Sequence, residues 1–135
     1  MRMSWAVLET MRRHLNHGGR VAFDSRNPRI NWVDEWNARS RTLLGGQIIE
    51  TLKITAADRE FISFETSYRV PDTTLVTSST LRFPTRHHVE HLLHRSGFRV
   101  QDVFGDWDSC QFHSTSSREM IFVAGSTQPS NPTTR

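Results

Sequence analysis

The apolar positions of this chain fall into two periods. Near the N-terminus Trp5, Leu8, Met11 and Leu15 recur at spacings of three and four, the period of a helix with one buried face, and Ser4 stands where a cap belongs. Arg12, Arg13 and His14 gather in its last turn, where positive charge suits the helix dipole. Asn16-His17-Gly18-Gly19 ends it, because glycine readily takes the left-handed cap. Residues 20–23 read as a short strand that stops in the polar loop 24–28. Residues 30–44 carry Ile30, Trp32 and Trp36, either on a short helix or on an irregular segment over a pocket. Three strands follow, over 47–55, 60–70 and 75–83, with Gly45-Gly46 before the first and a turn over 71–74 before the last. In the second of them Ile62, Phe64, Tyr68 and Val70 share one face, with Thr66 between; Ser63, Glu65, Ser67 and Arg69 take the other. Short connections between alternating strands predict an antiparallel meander with one wet face.

A second helix opens at Pro84-Thr85, with Thr85 as its cap and Val89, Leu92 and Leu93 as its buried stripe. Gly97 ends it, and Phe98 follows as the apolar partner of the terminating turn. A strand over 99–104 comes next, then a polar loop from Gly105 to about Arg118. Met120-Ile121-Phe122-Val123-Ala124 is apolar throughout, so this strand is central or covered on both faces. Residues 125–135, rich in Ser, Thr, Pro and Asn, read as a mobile tail.

A chain of 135 residues fits one domain. Mean hydropathy is −0.54, and no apolar run approaches the roughly 20 residues of a membrane span. The N-terminal residues lack the apolar stretch of a secretory signal, so a cytoplasmic protein is expected. Cys110 is the only cysteine, which excludes an internal disulfide and a cysteine-based zinc site. Of the 17 Lys and Arg residues all but Lys53 are Arg, which lifts the pI to about 10.0 although the net charge is only +3. The arginines are spread along the chain rather than clustered on a stripe, so no specific nucleic-acid partner is expected.

The order of several segments resembles a known family. Residues 18–28 match a GGRFAFDTRNP-like segment; Leu81-Arg82-Phe83, Ser96-Gly97-Phe98, residues 105–108 and residues 117–124 match an LRF…AGF…GDWD…SPEMIFVA-like ending. Together they resemble the C-terminal half of a class I S-adenosylmethionine-dependent methyltransferase of the small bacterial type, over about residues 4–124. The resemblance implies an α/β fold: the C-terminal half of a doubly wound methyltransferase-like sheet with an inserted antiparallel β-meander. Residues 20–24 would be its fifth strand, 99–104 its sixth and 119–124 its seventh, inserted antiparallel. Residues 47–83 would be a substrate-side insertion in a partial domain over 1–124, with 125–135 as the tail.

The resemblance also implies S-adenosylmethionine as cofactor and a small-molecule substrate. Yet the seven glycines are Gly18, Gly19, Gly45, Gly46, Gly97, Gly105 and Gly125, and no two are separated by a single residue. The G-x-G loop that brings backbone close to a cofactor is therefore absent, and so is the half that would carry the acidic ribose partner. Most of the cofactor site is expected to lie outside this chain. The edge of residues 20–24 that a fourth strand would cover is then open. The chain is expected to dimerise there, rearrange locally or pair with a complementing polypeptide. The DGSPF-like turn of the family reads Asp108-Ser109-Cys110-Gln111-Phe112, which changes its turn options.

Candidate chemistry clusters after the first strand. Asp24, Arg26 and Asn27 follow its carboxyl end, where ligands of open α/β sheets bind. Asp24 is the candidate general base toward a substrate hydroxyl or amine, and Arg26 a bidentate partner for a carboxylate. The alternative is that Asp24 and Asn27 cap the loop and Arg26 ties it down. Trp32, Trp36 and Trp107 either wall an apolar substrate pocket or pack in the core. His87, His91 and His94 lie on one helix face opposite Val89, Leu92 and Leu93. They form a solvated stripe, or an incomplete metal-ligand set without a carboxylate. Cys110 with His113 could make a nucleophilic pair but has no orienting third group. Two functional classes follow: a methyltransferase-family protein comprising the substrate-side half, or a non-catalytic ligand- or partner-binding α+β module.

Overall fold

The computed structural model describes residues 5–127, so Ser4, the side chain of Trp5 and residues 128–135 lie outside the described part. The chain divides into two compact units, one of Met1–Ile30 with Pro84–Arg135 and one of Asn31–Phe83.

In the first unit helix α1 covers Trp5–His14 and helix α3 covers Arg86–Arg95. Strands β1 (Arg20–Arg26), β6 (Phe98–Phe104) and β7 (Glu119–Ser126) form a sheet of order β1-β7-β6. Both neighbours run antiparallel to β7, so β1 and β6 run in one direction with β7 inserted between them. This is the arrangement expected of the fifth, seventh and sixth strands in the resemblance. Its cause is visible in β7: Met120, Ile121, Phe122 and Ala124 are all buried, so only a central position suits them.

Alternate residues of β7, namely Met120, Phe122 and Ala124, join Leu8, Val89, Leu93 and Phe98 in the core, with Met11, Leu15, Val21, Phe23 and Leu92 packed against it. Phe23 stacks on Phe122 with ring centroids 5.4 Å apart. The helical stripes read from the sequence thus meet one face of this sheet. Thr85 caps α3 by accepting from the His88 N–H at 3.1 Å, and Gly97 takes φ +87° past its end.

Two boundaries differ from the sequence reading. Strand β1 continues to Arg26, because Asp24, Ser25 and Arg26 pair with Ile121, Met120 and Glu119. The loop begins only at Asn27. Strand β7 continues through Gly125 and Ser126, paired with Arg20 and Arg99 through Gly125 and with Phe98 through Ser126. Thr127 then donates its N–H to the Gly97 carbonyl at 2.9 Å. The segment expected to be a tail from residue 125 is therefore part of the sheet as far as 127.

The second unit holds helix α2 (Trp32–Trp36) and strands β2 (Arg39–Leu43), β3 (Ile48–Ala57), β4 (Phe61–Val70) and β5 (Thr73–Arg82). All pairs are antiparallel, in the order β2-β3-β4-β5, which is the expected meander with one extra strand. The ambiguous stretch 30–44 resolves into α2 and β2. Asn31 caps α2 by accepting from the Asp34 N–H at 3.1 Å. Ile62 and Thr66 are buried on the face predicted to be apolar.

Candidate functional site

The carboxyl ends of β1 and β6 reach one end of the first unit's sheet, where β7 begins. Asp24 and Phe104 both stand opposite Ile121, and Arg26 stands opposite Glu119. Directly opposed residues share a face, so Asp24, Arg26 and Glu119 emerge together, on the side away from Phe23, Phe122 and the helices. Asp24 and Arg26 are exposed, while Glu119 is half-buried. Burial, and then the negative charge of Asp24, push the Glu119 carboxyl above its ordinary range; Arg26 opposes this, Asp106 adds to it, and Arg118 opposes it. The Asp106 charge belongs to the loop that leaves β6. A pairing of carboxylates with cations at strand ends can hold a polar ligand that carries both an acid and a donor group.

Asn27 lies one residue further and is 2% exposed. Its Nδ2 donates to the carbonyls of Ser117 at 2.7 Å and Ser114 at 3.0 Å, and its Oδ1 accepts from the Arg29 N–H at 3.2 Å. Its backbone N–H donates to the Arg118 carbonyl at 2.9 Å. The side chain thus pins the 109–118 loop to the end of β1.

That loop is folded on Gly105, whose N–H donates to the Cys110 carbonyl at 2.9 Å. A Cβ at Gly105 would stand 2.7 Å from Ser117 Oγ and 2.9 Å from the Gln111 carbonyl oxygen. Asp106–Ser109 is a tight turn closed by the Ser109 N–H on the Asp106 carbonyl at 3.2 Å. Ser109 holds φ +65°, so the left-handed geometry exists at the position where the DGSPF-like turn has glycine. Trp107, in the middle of this turn, is 59% exposed.

Trp32 and Trp36 belong to the second unit. Trp32 is buried against Trp36 and Phe83, and Trp36 meets Phe64 and Phe83, with ring centroids 5.6 to 5.9 Å apart. The four rings pack on one another, with Trp32 and Phe83 buried and Trp36 and Phe64 half-buried.

Other candidates gain no support from their surroundings. His87, His91 and His94 are exposed, and among the described residues no three His, Cys, Asp or Glu side chains converge as metal ligands. The Cys110 thiol is bonded to the Asp108 carboxylate, which pushes it above its ordinary value, the reverse of what a thiolate nucleophile needs. The same contact and the Cys110 N–H hold Asp108 low.

Sequence reasoning did not single out Glu119, Ser114 or Ser117. Glu119 had a usable signal. A strand inserted antiparallel begins where its neighbours end, so its first residue joins their lip.

The methyl donor implied by the resemblance would need glycines at which backbone can approach a ligand. The spaces at Gly97, Gly105 and Gly125 are filled by Arg12, by Ser117 with Gln111, and by Gln101; Gly19 lies against Asn16 and Leu15. Gly18, Gly45 and Gly46 have open space but positive φ, as turn residues. None of these three follows the carboxyl end of β1 or β6, so among the described residues no glycine offers a cofactor cradle beside Asp24, Arg26 and Glu119.

No family model and no curated protein matches this sequence. Solved structures do match in three dimensions. An S-adenosylmethionine-dependent methyltransferase from Clostridium acetobutylicum superimposes with a TM-score of 0.74 at 12% identity, over 92% of this chain and 51% of that one. The CcbJ methyltransferase from Streptomyces caelestis gives 0.70 at 14% identity, over 92% and 50%. CalS10, a SAM-bound amino pentose methyltransferase from Micromonospora echinaspora involved in calicheamicin biosynthesis, gives 0.57 at 18%, over 89% and 49%. The chain spans about half the length of each of these structures. It has an α/β fold that matches about half of an S-adenosylmethionine-dependent methyltransferase.

Proposed function

We propose that this chain is the C-terminal, substrate-side half of a class I S-adenosylmethionine-dependent methyltransferase that acts on a small molecule. The observation that carries the reading is the β1-β7-β6 sheet with Asp24, Arg26 and Glu119 on one face at the carboxyl ends of β1 and β6. In this reading Asp24 accepts a proton from a substrate hydroxyl or amine, and Arg26 binds a substrate carboxylate. Trp107 supplies an apolar surface at the rim. Asn27 is a positioning residue that holds the 109–118 loop. Trp32 and Trp36 serve the interior of their own unit. The methyl donor's binding residues lie on other polypeptide sequence, which adds its strand to the outer edge of β1. Alignment of the reacting groups would supply most of the rate.

The filled glycine spaces favour a second reading, a non-catalytic module that keeps the ligand lip and transfers nothing. Both readings share the lip, so it is tested first. Backbone amide spectra of the chain are recorded with small molecules carrying a carboxylate beside an amine or hydroxyl. Shifts confined to residues 24–27, 106–108 and 119, lost in Arg26→Ala, are expected. Saturable binding that shifts none of these residues, or no binding across such a set, overturns the assignment.

A further inference from the structure

Four strands stand at a sheet edge, β1, β6, β2 and β5, and among the described residues only β6 is met on its outer side, by a single bridge from Phe104 to Gln111. Open edges invite pairing with another chain, and proteins block this with charge, proline or a bulge. Three of the four carry charges that disfavour pairing with a second copy of the same strand. Strand β1 carries Arg20, Asp24 and Arg26. Strand β6 carries Arg99 and Asp102, with a register shift between Val100 and Asp102. Strand β2 carries Arg39 and Arg41 in five residues.

Strand β5 carries a charge only at its last residue, Arg82, which is ion-paired with Glu60 at 3.1 Å. From Thr73 to Leu81 it reads Thr-Thr-Leu-Val-Thr-Ser-Ser-Thr-Leu, without charge, proline or glycine. It pairs with β4 over ten consecutive residues with no register shift, so it is long and regular. Every residue from Thr73 to Thr80 is exposed, with Leu75 at 60% and Val76 at 57%. Leu75 lies opposite Tyr68 and Val76 opposite Ser67, so an apolar side chain projects from each face of the strand. About half of the N–H and C=O groups of an edge strand point outward and need a partner.

We infer that the outer edge of β5 pairs antiparallel with β5 of a second copy of this chain, joining two four-stranded sheets into one of eight. The uncharged run from Thr73 to Leu81 selects this occupant. A charged edge repels its own copy and favours a complementary partner, whereas an uncharged antiparallel edge is its own complement about a two-fold axis. The Thr and Ser side chains of the two strands would lie across from one another, and Thr–Thr and Thr–Ser pairs are favourable across strands. This interface is independent of the substrate lip and differs from the β1 edge.

Sedimentation velocity on the full chain over roughly 1 to 100 micromolar tests it, a range that brackets a weak dimer. The expected result is a monomer–dimer equilibrium that stops at two copies. Val76→Lys places two cations near the two-fold axis and is expected to raise the dimer dissociation constant about tenfold or more. Ser78→Lys, at an exposed polar position, serves where circular dichroism shows Val76→Lys to be unfolded. Ala22→Lys, on exposed β1, is expected to leave the dimer intact. The inference is overturned by a wild-type monomer throughout, by assembly beyond two copies, or by a folded lysine variant that dimerises as the wild type does.

Discussion

Asn27 is the residue through which the site depends on a few hydrogen bonds, so replacing it is the most informative perturbation. Asn27→Ala removes two donations, to the carbonyls of Ser114 and Ser117, and one acceptance from the Arg29 N–H. At about 1 kcal/mol for each net hydrogen bond the loss is about 3 kcal/mol, a large share of an ordinary domain's stability. Asn27→Asp has nearly the same shape but the opposite effect on two partners. It keeps an acceptor for Arg29, yet turns a carboxylate oxygen toward two carbonyl oxygens at 2.7 and 3.0 Å from the native nitrogen. At neutral pH it should therefore cost more than the alanine. A protonated carboxyl can donate to one of those carbonyls, so its pKa in the folded state rises above the unfolded value of about 3.9. The native state then binds the extra proton. The deficit of Asn27→Asp is smallest below pH of about 4 and grows as pH rises through the folded pKa. Urea denaturation followed by tryptophan fluorescence at several pH values reads both variants. An alanine deficit under about 0.5 kcal/mol, the range of an ordinary surface change, would refute the pinning role. So would an aspartate deficit that tracks the alanine's at every pH.

Gly97→Ala forces a Cβ onto φ +87° and to 2.6 Å from Arg12 Cδ, and should cost about 1 to 2 kcal/mol by the same denaturation assay, since left-handed backbone disfavours side chains and Arg12 must move. Gly105→Ala meets Ser117 Oγ and the Gln111 carbonyl, so it should cost about 1 to 3 kcal/mol and speed hydrogen exchange of the Cys110 to Ser117 amides. Glu119 is held above its usual range in the folded state, so its own contribution to stability is fully present below the unfolded carboxylate pKa and is lost as pH rises through the folded one. Glu119→Gln should accordingly unfold at a higher temperature than wild type at pH 7, with the gain vanishing near pH 4, as read by thermal denaturation at the two pH values.

Much of the fold was legible because its signals are strong and local. The stripes Leu8, Met11, Leu15 and Val89, Leu93 sit in the core as their spacing predicts, and the unbroken apolar run at Met120–Ala124 lies in a central strand. The three meander strands lie within two residues of their predicted bounds. What stayed illegible depends on partners distant in sequence. Asp24, Ser25 and Arg26 look like loop residues by type, yet β7 pairs with each of them and extends the strand. Gly125 and Ser126 look like tail residues and are held in the same way. Strand β2, Arg-Ser-Arg-Thr-Leu, has little apolar pattern and exists through its pairing with β3. At the site, the lip's position followed from strand direction, but the pinning function of Asn27 required knowing that Ser114 and Ser117 come within reach. For Trp32 and Trp36 the sequence left pocket wall and core both open, and their packing partners Phe64 and Phe83, distant in sequence, could not be read from it.

The proposed function assigns this chain the substrate side of the site and leaves the methyl donor's binding residues to other polypeptide sequence. Calorimetric titration of the folded chain with S-adenosylhomocysteine, the product of methyl transfer, tests it most directly. No saturable binding by this chain alone is expected. Saturable binding at micromolar affinity would contradict it, and would place a cofactor site among residues that the glycine geometry assigns to turns and close packing.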